Sequence, residues 1–100
     1  MKLAAITLSV VFPFTAFPAR AQETIDVAKI TCEQYIGNDV ADPDKISIWL
    51  SGYYNAKLGN TMFEVQEFRA NVRKLEDYCL HHRHMRVMQA FEEAFKMAKK

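Results

Sequence analysis

The clearest pattern along the chain is an apolar stripe in its third quarter. Val65, Phe68, Val72, Leu75 and Cys79 follow one another in steps of 3, 4, 3 and 4 residues. Such steps place side chains on one face of an α-helix. The residues between them are mostly charged or amidic, so the pattern predicts a helix with one buried and one solvated face.

This helix is expected to begin just after a turn at Gly59 and Asn60. Thr61 and Glu64 have the spacing of a capping box, in which each side chain accepts a hydrogen bond from a free backbone amide of the helix N-terminus. The sequence therefore predicts Thr61 as the N-cap.

A preceding helix is predicted from Pro43 to about Leu58. Asp42 supplies an N-cap acid, Pro43 suits the first helical position, and Gly59 lies just past the end. Gly52 inside it costs about 1 kcal/mol relative to alanine, and either permits close packing or marks a weak point. Apart from the outlier Ile48, the apolar positions repeat at helical spacing: Ile46, Trp49, Leu50, Tyr53 and Tyr54.

Two shorter helices are predicted at the ends of the folded region. Thr31 can cap a short helix that Gly37 and Asn38 stop. The apolar stripe slips between Leu80 and His84, so we expect a break there and a last helix over about 84–97. No segment alternates with the period of a strand. The prediction is an all-α fold, a small single-domain bundle of about four helices.

The N-terminus has the pattern of a secretory signal. Lys2 precedes a short apolar run, and Ala19 and Ala21 place small residues at the positions before a cleavage site. The run is short for a membrane span, and Pro13 and Pro18 interrupt it. We therefore expect residues 1–21 to be a signal peptide cleaved after Ala21. Residues 22–100 would form the mature domain, with no membrane insertion.

The charge balance of the mature chain excludes one class of partner. The full chain has 13 Lys and Arg and 12 Asp and Glu. Lys2 and Arg20 belong to the signal, which leaves 11 basic against 12 acidic side chains. Nucleic-acid binding requires a strongly basic face, so it is not expected. No nucleophile–base pair, paired-acid motif or phosphate loop indicates an enzyme, and no cofactor is expected.

Cys32 and Cys79 are the only cysteines. An exported domain with two cysteines is expected to form a disulfide, which would stabilise it by about 4 kcal/mol. The alternative is a reactive Cys79 beside His81 or His82, but no partner acid or oxyanion hole accompanies it.

A histidine cluster, His81, His82 and His84, lies in the predicted break. Three imidazoles within four residues could bind zinc, copper or nickel. They could also sense pH, since they gain charge below about pH 6.5. The alternative is a charged turn between two helices.

Three segments carry a resemblance to the HdeA/HdeB family of periplasmic acid-stress chaperones. They are residues 31–36 (TCEQYI), the helix that carries Trp49, and residues 75–79 (LEDYC). The Trp49 segment is more similar to the HdeB branch. Two features depart from the family: Gln34 replaces an acid, and the histidine cluster replaces a turn of different composition.

The resemblance implies a small helical fold with a Cys32–Cys79 disulfide and a homodimer at neutral pH. It also implies a holdase that opens in acid, binds acid-denatured periplasmic proteins and uses neither ATP nor a cofactor. In strong acid the mature chain approaches a formal charge of about +14, and self-repulsion then opposes a compact state. Five aromatic residues are predicted for core, dimer or client contact: Trp49, Tyr53, Phe68, Phe91 and Phe95.

Two other functions remain open at this point. One is a periplasmic metal-binding protein that uses His81, His82 and His84. The other is a non-catalytic structural interaction domain whose response to acid is incidental.

Overall fold

A computed structural model describes residues 4–5, 7–11 and 23–97 of the chain. A 3-10 helix, Val27–Lys29, is followed by α1 (Cys32–Ile36), α2 (Pro43–Lys57), α3 (Val65–Leu80) and α4 (Val87–Ala94). No strand forms among these residues. The all-α prediction is confirmed, and so is the disulfide, which joins Cys32 to Cys79 across a sequence separation of 47.

The core lies where α1, α3 and α4 meet. Tyr35 and the two bonded cysteines are completely buried, as are Leu50 of α2 and Val87 of α4. Because Cys32 opens α1 and Cys79 lies in the last turn of α3, the disulfide holds these two helices together at the centre of the fold.

The helix α1 begins with a reciprocal cap. The Gln34 amide donates to Thr31 Oγ1 over 3.2 Å, and the Thr31 amide donates to Gln34 Oε1 over 3.0 Å. The predicted cap at Thr31 is thus confirmed, and Gln34 completes a capping box. The residue that departs from the family pattern performs a structural role for which a glutamine is well suited.

The predicted bounds of α2 are correct to within one residue. Asp42 accepts from the Asp44 amide at the N-terminus, and Gly59 has a φ of +69° just beyond the end. A Cβ placed on Gly52 would meet no atom within 4 Å. Close packing is therefore not the reason for this glycine within the monomer.

The predicted cap of α3 was wrong. Glu64 is the N-cap, and its carboxylate accepts from the amides of Gln66 and Glu67. A carboxylate at this position also interacts favourably with the positive end of the helix dipole, and the threonine three residues earlier has no such advantage. Val65 was predicted on the buried stripe, but it lies in the first turn and is 52 % exposed.

The break after α3 is confirmed, but it is longer than predicted. The amide of Cys32 donates to the carbonyl of Met85, and the amide of Glu33 donates to that of Arg83. These bonds hold residues 81–86 against α1 in a non-helical conformation, so α4 begins at Val87 instead of residue 84. It ends at Ala94 instead of residue 97, because Lys96 adopts a left-handed φ of +52°.

The predicted signal peptide and its cleavage site after Ala21 fall mostly outside the described residues. The described residues of that region, 4–5 and 7–11, are neither helical nor extended into a strand. Across the described chain, no helix combines the length and apolar character needed to span a membrane.

Candidate functional site

Five aromatic rings form a continuous column from α2 to α4. Trp49 stacks on Tyr53 with ring centroids 4.9 Å apart, and Tyr53 meets Tyr54 edge-on at 5.1 Å. Tyr54 stacks on Phe91 at 4.6 Å, and Phe91 contacts Phe95 at 4.6 Å. We call these residues the aromatic column. Four of the five predicted contact residues belong to it, and sequence reasoning left Tyr54 out of that set.

Helical spacing accounts for the column. Trp49 and Tyr53 are four residues apart on α2, and Phe91 and Phe95 are four apart at the end of α4, so each pair lies on one helix face. The column is exposed at one end and covered in the middle, since Trp49 is 44 % and Tyr54 only 4 % exposed.

Two lysines lie over the rings of the column. Lys57 Nζ is 4.0 Å from the centroid of the Tyr53 ring, and Lys74 Nζ is 4.9 Å from that of Phe95. Cation–π contacts at exposed sites contribute about 0.5–1 kcal/mol. The aromatic surface therefore carries positive charge at two of its edges.

Phe68, the fifth predicted contact residue, shares a small pocket with Phe91, but its described ring contact is with Phe63 and not with the column. It contacts Phe63 at 5.1 Å and lines an open groove of about 450 Å³ between α2 and α3. We call this the apolar groove. Its apolar wall is formed by Ile48, Phe63, Val65, Phe68 and Val72, and its charged rim by Asp44, Arg69, Arg73 and Glu76.

Two tyrosines connect α4 to its neighbouring helices. Tyr54 of α2 donates to Glu92 Oε1 over 3.0 Å, and its hydroxyl also contacts the Met88 carbonyl at 3.2 Å. Tyr78 of α3 donates to Glu93 Oε2 over 2.6 Å. Burial and the Glu92 hydrogen bond raise the pKa of Tyr54, and the Glu93 hydrogen bond raises that of Tyr78.

A third tyrosine is sealed inside the core. The Tyr35 hydroxyl is 2.6 Å from Ser47 Oγ, which in turn donates to the Pro43 carbonyl over 2.7 Å. Ser47 can therefore accept the proton of Tyr35. Burial raises the pKa of Tyr35 from 10.0 to about 12, because an ionised phenol in the core would be poorly solvated.

We expect this core tyrosine to limit stability in alkali. A raised pKa means that the folded state holds its proton more tightly than the unfolded state. The contribution is complete below pH 10 and is lost as pH rises towards about 12, a decrease of roughly 2 kcal/mol in the free energy of unfolding. Urea denaturation of the wild type at several pH values in this range should show the decrease.

The Tyr35→Phe variant is the control for this prediction. Residue 35 of this variant cannot ionise, so unfolding between pH 10 and 12 should release about one proton fewer than in the wild type. Its free energy of unfolding should therefore fall less steeply with pH. Equal slopes for the variant and the wild type would contradict the assignment.

The histidine cluster does not gather its imidazoles around a common point. His81 Nδ1 is 2.9 Å from the Asp77 carbonyl, and His82 Nδ1 is 2.8 Å from that of Tyr78. A carbonyl only accepts, so each Nδ1 carries a proton, and a second proton at Nε2 would leave both bonds intact. His82 also stacks on Tyr78 at 4.0 Å. The pH-sensing role of the cluster stays a prediction.

The described part of the chain contains neither the geometry of a metal site nor that of a reactive cysteine. Residues 4–5, 7–11 and 23–97 contain no group of three metal-ligating side chains close enough to hold an ion. Cys79 is in the disulfide, so it carries no thiol that His81 or His82 could activate.

The glutamates that pair with tyrosines were missed at the sequence level. Glu92 and Glu93 were recognised only as mid-helix acids. The available signal was their place beside the apolar stripe of α4, together with the preference of buried tyrosine hydroxyls for a polar partner. The partners themselves are 38 and 15 residues away in sequence, so local patterns could not identify them.

These features define a small disulfide-bonded helical protein with uncovered aromatic and apolar surface. A sequence model of the HdeA/HdeB family matches residues 1–89 of the chain. The chain belongs to this family, whose members are known as periplasmic acid-stress chaperones. The match does not separate the two branches, so the closer relation to HdeB stays a prediction. Neither a curated protein nor a solved structure matches the chain.

Proposed function

We propose that this protein is an ATP-independent periplasmic holdase that opens in acid and binds denatured proteins until the pH recovers. Membership of a chaperone family supports the class. The observation that carries the proposal for this chain is the apolar surface that its folded monomer leaves uncovered. Phe63 and Val65, which line the apolar groove, are 55 % and 52 % exposed, and Met62, next to Phe63 in the chain, is 81 % exposed.

A cluster of exposed apolar side chains is typical of an interaction site. At neutral pH we propose that a second copy of the chain covers the apolar groove. Its rim carries two acids, Asp44 and Glu76, and two bases, Arg69 and Arg73. A two-fold axis places each patch against itself, so a rim with both signs of charge can pair with its own copy.

Acid removes this pairing and changes the charge of the whole chain. After removal of a signal cleaved behind Ala21, the chain would have 11 basic and 12 acidic side chains and 3 histidines. Protonation of all of them brings the formal charge to about +14, and self-repulsion then favours separated and more open chains. The uncovered aromatic column and apolar groove would then bind clients, and the positive charge would keep the complexes in solution.

The test is client aggregation followed by light scattering. The mature protein is mixed with an acid-labile dehydrogenase, taken stepwise from pH 7 to pH 2 and then neutralised. We expect suppression of aggregation in acid at near-stoichiometric ratio, and none at pH 7. Aggregation that proceeds unchanged at every pH, with the disulfide intact, would refute the proposed function.

A pair of matched variants locates the surface. Phe63→Ser removes an exposed ring from the apolar groove, whereas Leu58→Ser changes a residue that is 69 % exposed but lies outside both the groove and the aromatic column. Phe63→Ser should reduce suppression at least about two-fold and weaken neutral-pH dimerisation in sedimentation, since apolar burial drives both. Leu58→Ser should change neither. Equal effects of the two substitutions would show that the apolar groove is not the surface that binds clients or the second copy.

None of the described contacts favours the alternative of a metal carrier, because the imidazoles of the histidine cluster do not converge. The alternative of a structural interaction domain makes a different prediction in the same assay. A structural interaction domain would self-associate but would not protect clients from aggregation.

A further inference from the structure

The helix α4 is attached to the rest of the domain in two different ways. At its N-terminal end, the Val87 amide donates to the Ile30 carbonyl over 2.8 Å, and Arg86 donates to the Ala28 carbonyl over 3.0 Å. These acceptors are backbone carbonyls, and none of them titrates. This end of α4 is therefore held by contacts that do not depend on pH.

The other half of α4 is held by carboxylates in addition to the stacking of Phe91 on Tyr54. Glu92 accepts from Tyr54 of α2 and Glu93 accepts from Tyr78 of α3. Successive residues of a helix project about 100° apart, so two adjacent glutamates can reach the helices on either side. Both bonds have an ionised acceptor, and such bonds are about twice as strong as neutral ones.

The covalent topology leaves this half of α4 without a restraint of its own. The disulfide closes the chain from Cys32 to Cys79, and this loop contains α2 and α3. The helix α4 follows the loop, so the end beyond Arg86 can move without stretching the loop. Only non-covalent contacts determine whether it stays docked.

We propose that Glu92 and Glu93 form an acid-sensitive latch for α4. Protonation of the two carboxylates weakens both tyrosine hydrogen bonds. The C-terminal half of α4 then leaves α2 and α3, while its N-terminal end near Arg86 stays in place. Movement of α4 separates Phe91 from Tyr54 and so uncovers the middle of the aromatic column.

Two lysines and one side-chain amide lie around the latch. From α2, Lys57 lies 5.7 Å from the centre of the Tyr54 ring, and from α3, Lys74 lies over Phe95. On α4 itself, Gln89 donates to Glu93 Oε1 over 3.1 Å. Lysine ammonium groups only donate hydrogen bonds, so these two lysines cannot replace the carboxylates as acceptors for the tyrosine hydroxyls.

The 3-10 helix and α1 contribute charges only near the fixed end of α4. Their charged residues are Lys29 and Glu33, and both helices reach α4 through the backbone around Ile30 and the segment 81–86. The burial of Val87 and Ala90 also persists in acid. The latch therefore shifts the population of undocked α4 and leaves the frame around the disulfide intact.

Hydrogen exchange followed by mass spectrometry tests the latch at pH 7. The Glu92→Gln/Glu93→Gln variant imitates the protonated carboxyls. We expect amides of residues 91–94 to exchange about ten-fold faster than in the wild type, with little change at Val87 and in Val65–Leu80. The Tyr54→Phe/Tyr78→Phe variant keeps the rings but removes the donors, and it should accelerate the same segment.

The matched control is Glu33→Gln/Glu67→Gln, which removes two exposed glutamates and so gives the same change in net charge. It should leave exchange in α4 unchanged. Exchange in α4 that is equal in the latch variant and this control would overturn the latch. If the double latch variant does not fold, the single substitutions Glu92→Gln and Tyr54→Phe provide the same comparison.

The latch itself concerns only the docking of α4, but its role in client binding rests on the proposed function. The two can be told apart in one set of samples. Faster exchange in α4 with no protection of the dehydrogenase at any pH supports the latch and refutes the holdase. Protection in acid with unaltered α4 exchange in the latch variant refutes the latch and leaves the holdase standing.

Discussion

Replacement of both Cys32 and Cys79 by alanine is expected to lower the free energy of unfolding by about 4 kcal/mol. The bond closes a loop with a sequence separation of 47, and its removal gives the unfolded chain far more conformational freedom. A domain of this size has a total stability of about 4–12 kcal/mol. The variant should therefore be marginally stable or unfolded at neutral pH.

The measurement is urea denaturation followed by far-UV circular dichroism. Wild type in reducing agent provides the matched control, because it breaks the same bond without changing the sequence, and the two midpoints should agree. The slope with urea should increase, since the unfolded chain without the bond exposes more surface. A midpoint equal to that of the oxidised wild type would contradict the dominant role of the disulfide.

Leu50→Ala is expected to cost about 3 kcal/mol, the second largest effect. The Leu50 side chain is completely buried on the core face of α2. Its truncation removes apolar burial and leaves a cavity that the surrounding helices can fill only in part. At this domain size the melting temperature should fall by roughly 12–24 °C.

Leu58→Ala is the control for this substitution. The chemical change is the same, but Leu58 is 69 % exposed at the C-terminal end of α2, so its effect should stay within about 0.5 kcal/mol. Thermal melts of the two variants at pH 7 make the comparison. Similar losses would mean that α2 is stabilised by a partner surface rather than by the core of the monomer.

The elements that local chemistry defines could be predicted from the sequence. Asp42 before Pro43 and the glycine at position 59 set the bounds of α2, because each has one favourable role at a helix end. The N-terminus of α3 was predicted at Thr61 because Thr61 and Glu64 have capping-box spacing, and this spacing does not reveal that the Glu64 carboxylate is itself the cap. The last helix was predicted to begin at about residue 84, three residues too early. Long-range backbone hydrogen bonds from α1 hold residues 81–86 in a non-helical conformation.

The candidate site was less accessible to sequence reasoning. Periodicity identified the apolar face of α2, but it could not show that Trp49 would be half exposed while Tyr54 is covered by Phe91. It grouped Phe68 with the other contact residues, although Phe68 contacts Phe63 and lines the apolar groove instead of stacking within the column. Contacts between helices depend on their relative orientation, which no single helix encodes.

The capping box of α1 has a consequence for recovery from acid. Asp42 and Glu64 cap α2 and α3 with carboxylates, and in strong acid these become protonated and poorer acceptors. Thr31 and Gln34 are neutral at every pH, so the cap of α1 is unaffected. The helix α1, which carries Cys32, thus keeps its N-terminal cap at full strength, whereas the caps of α2 and α3 are weakened. When the carboxylates regain their charge, the caps of α2 and α3 regain full strength beside a helix α1 whose own cap does not depend on pH.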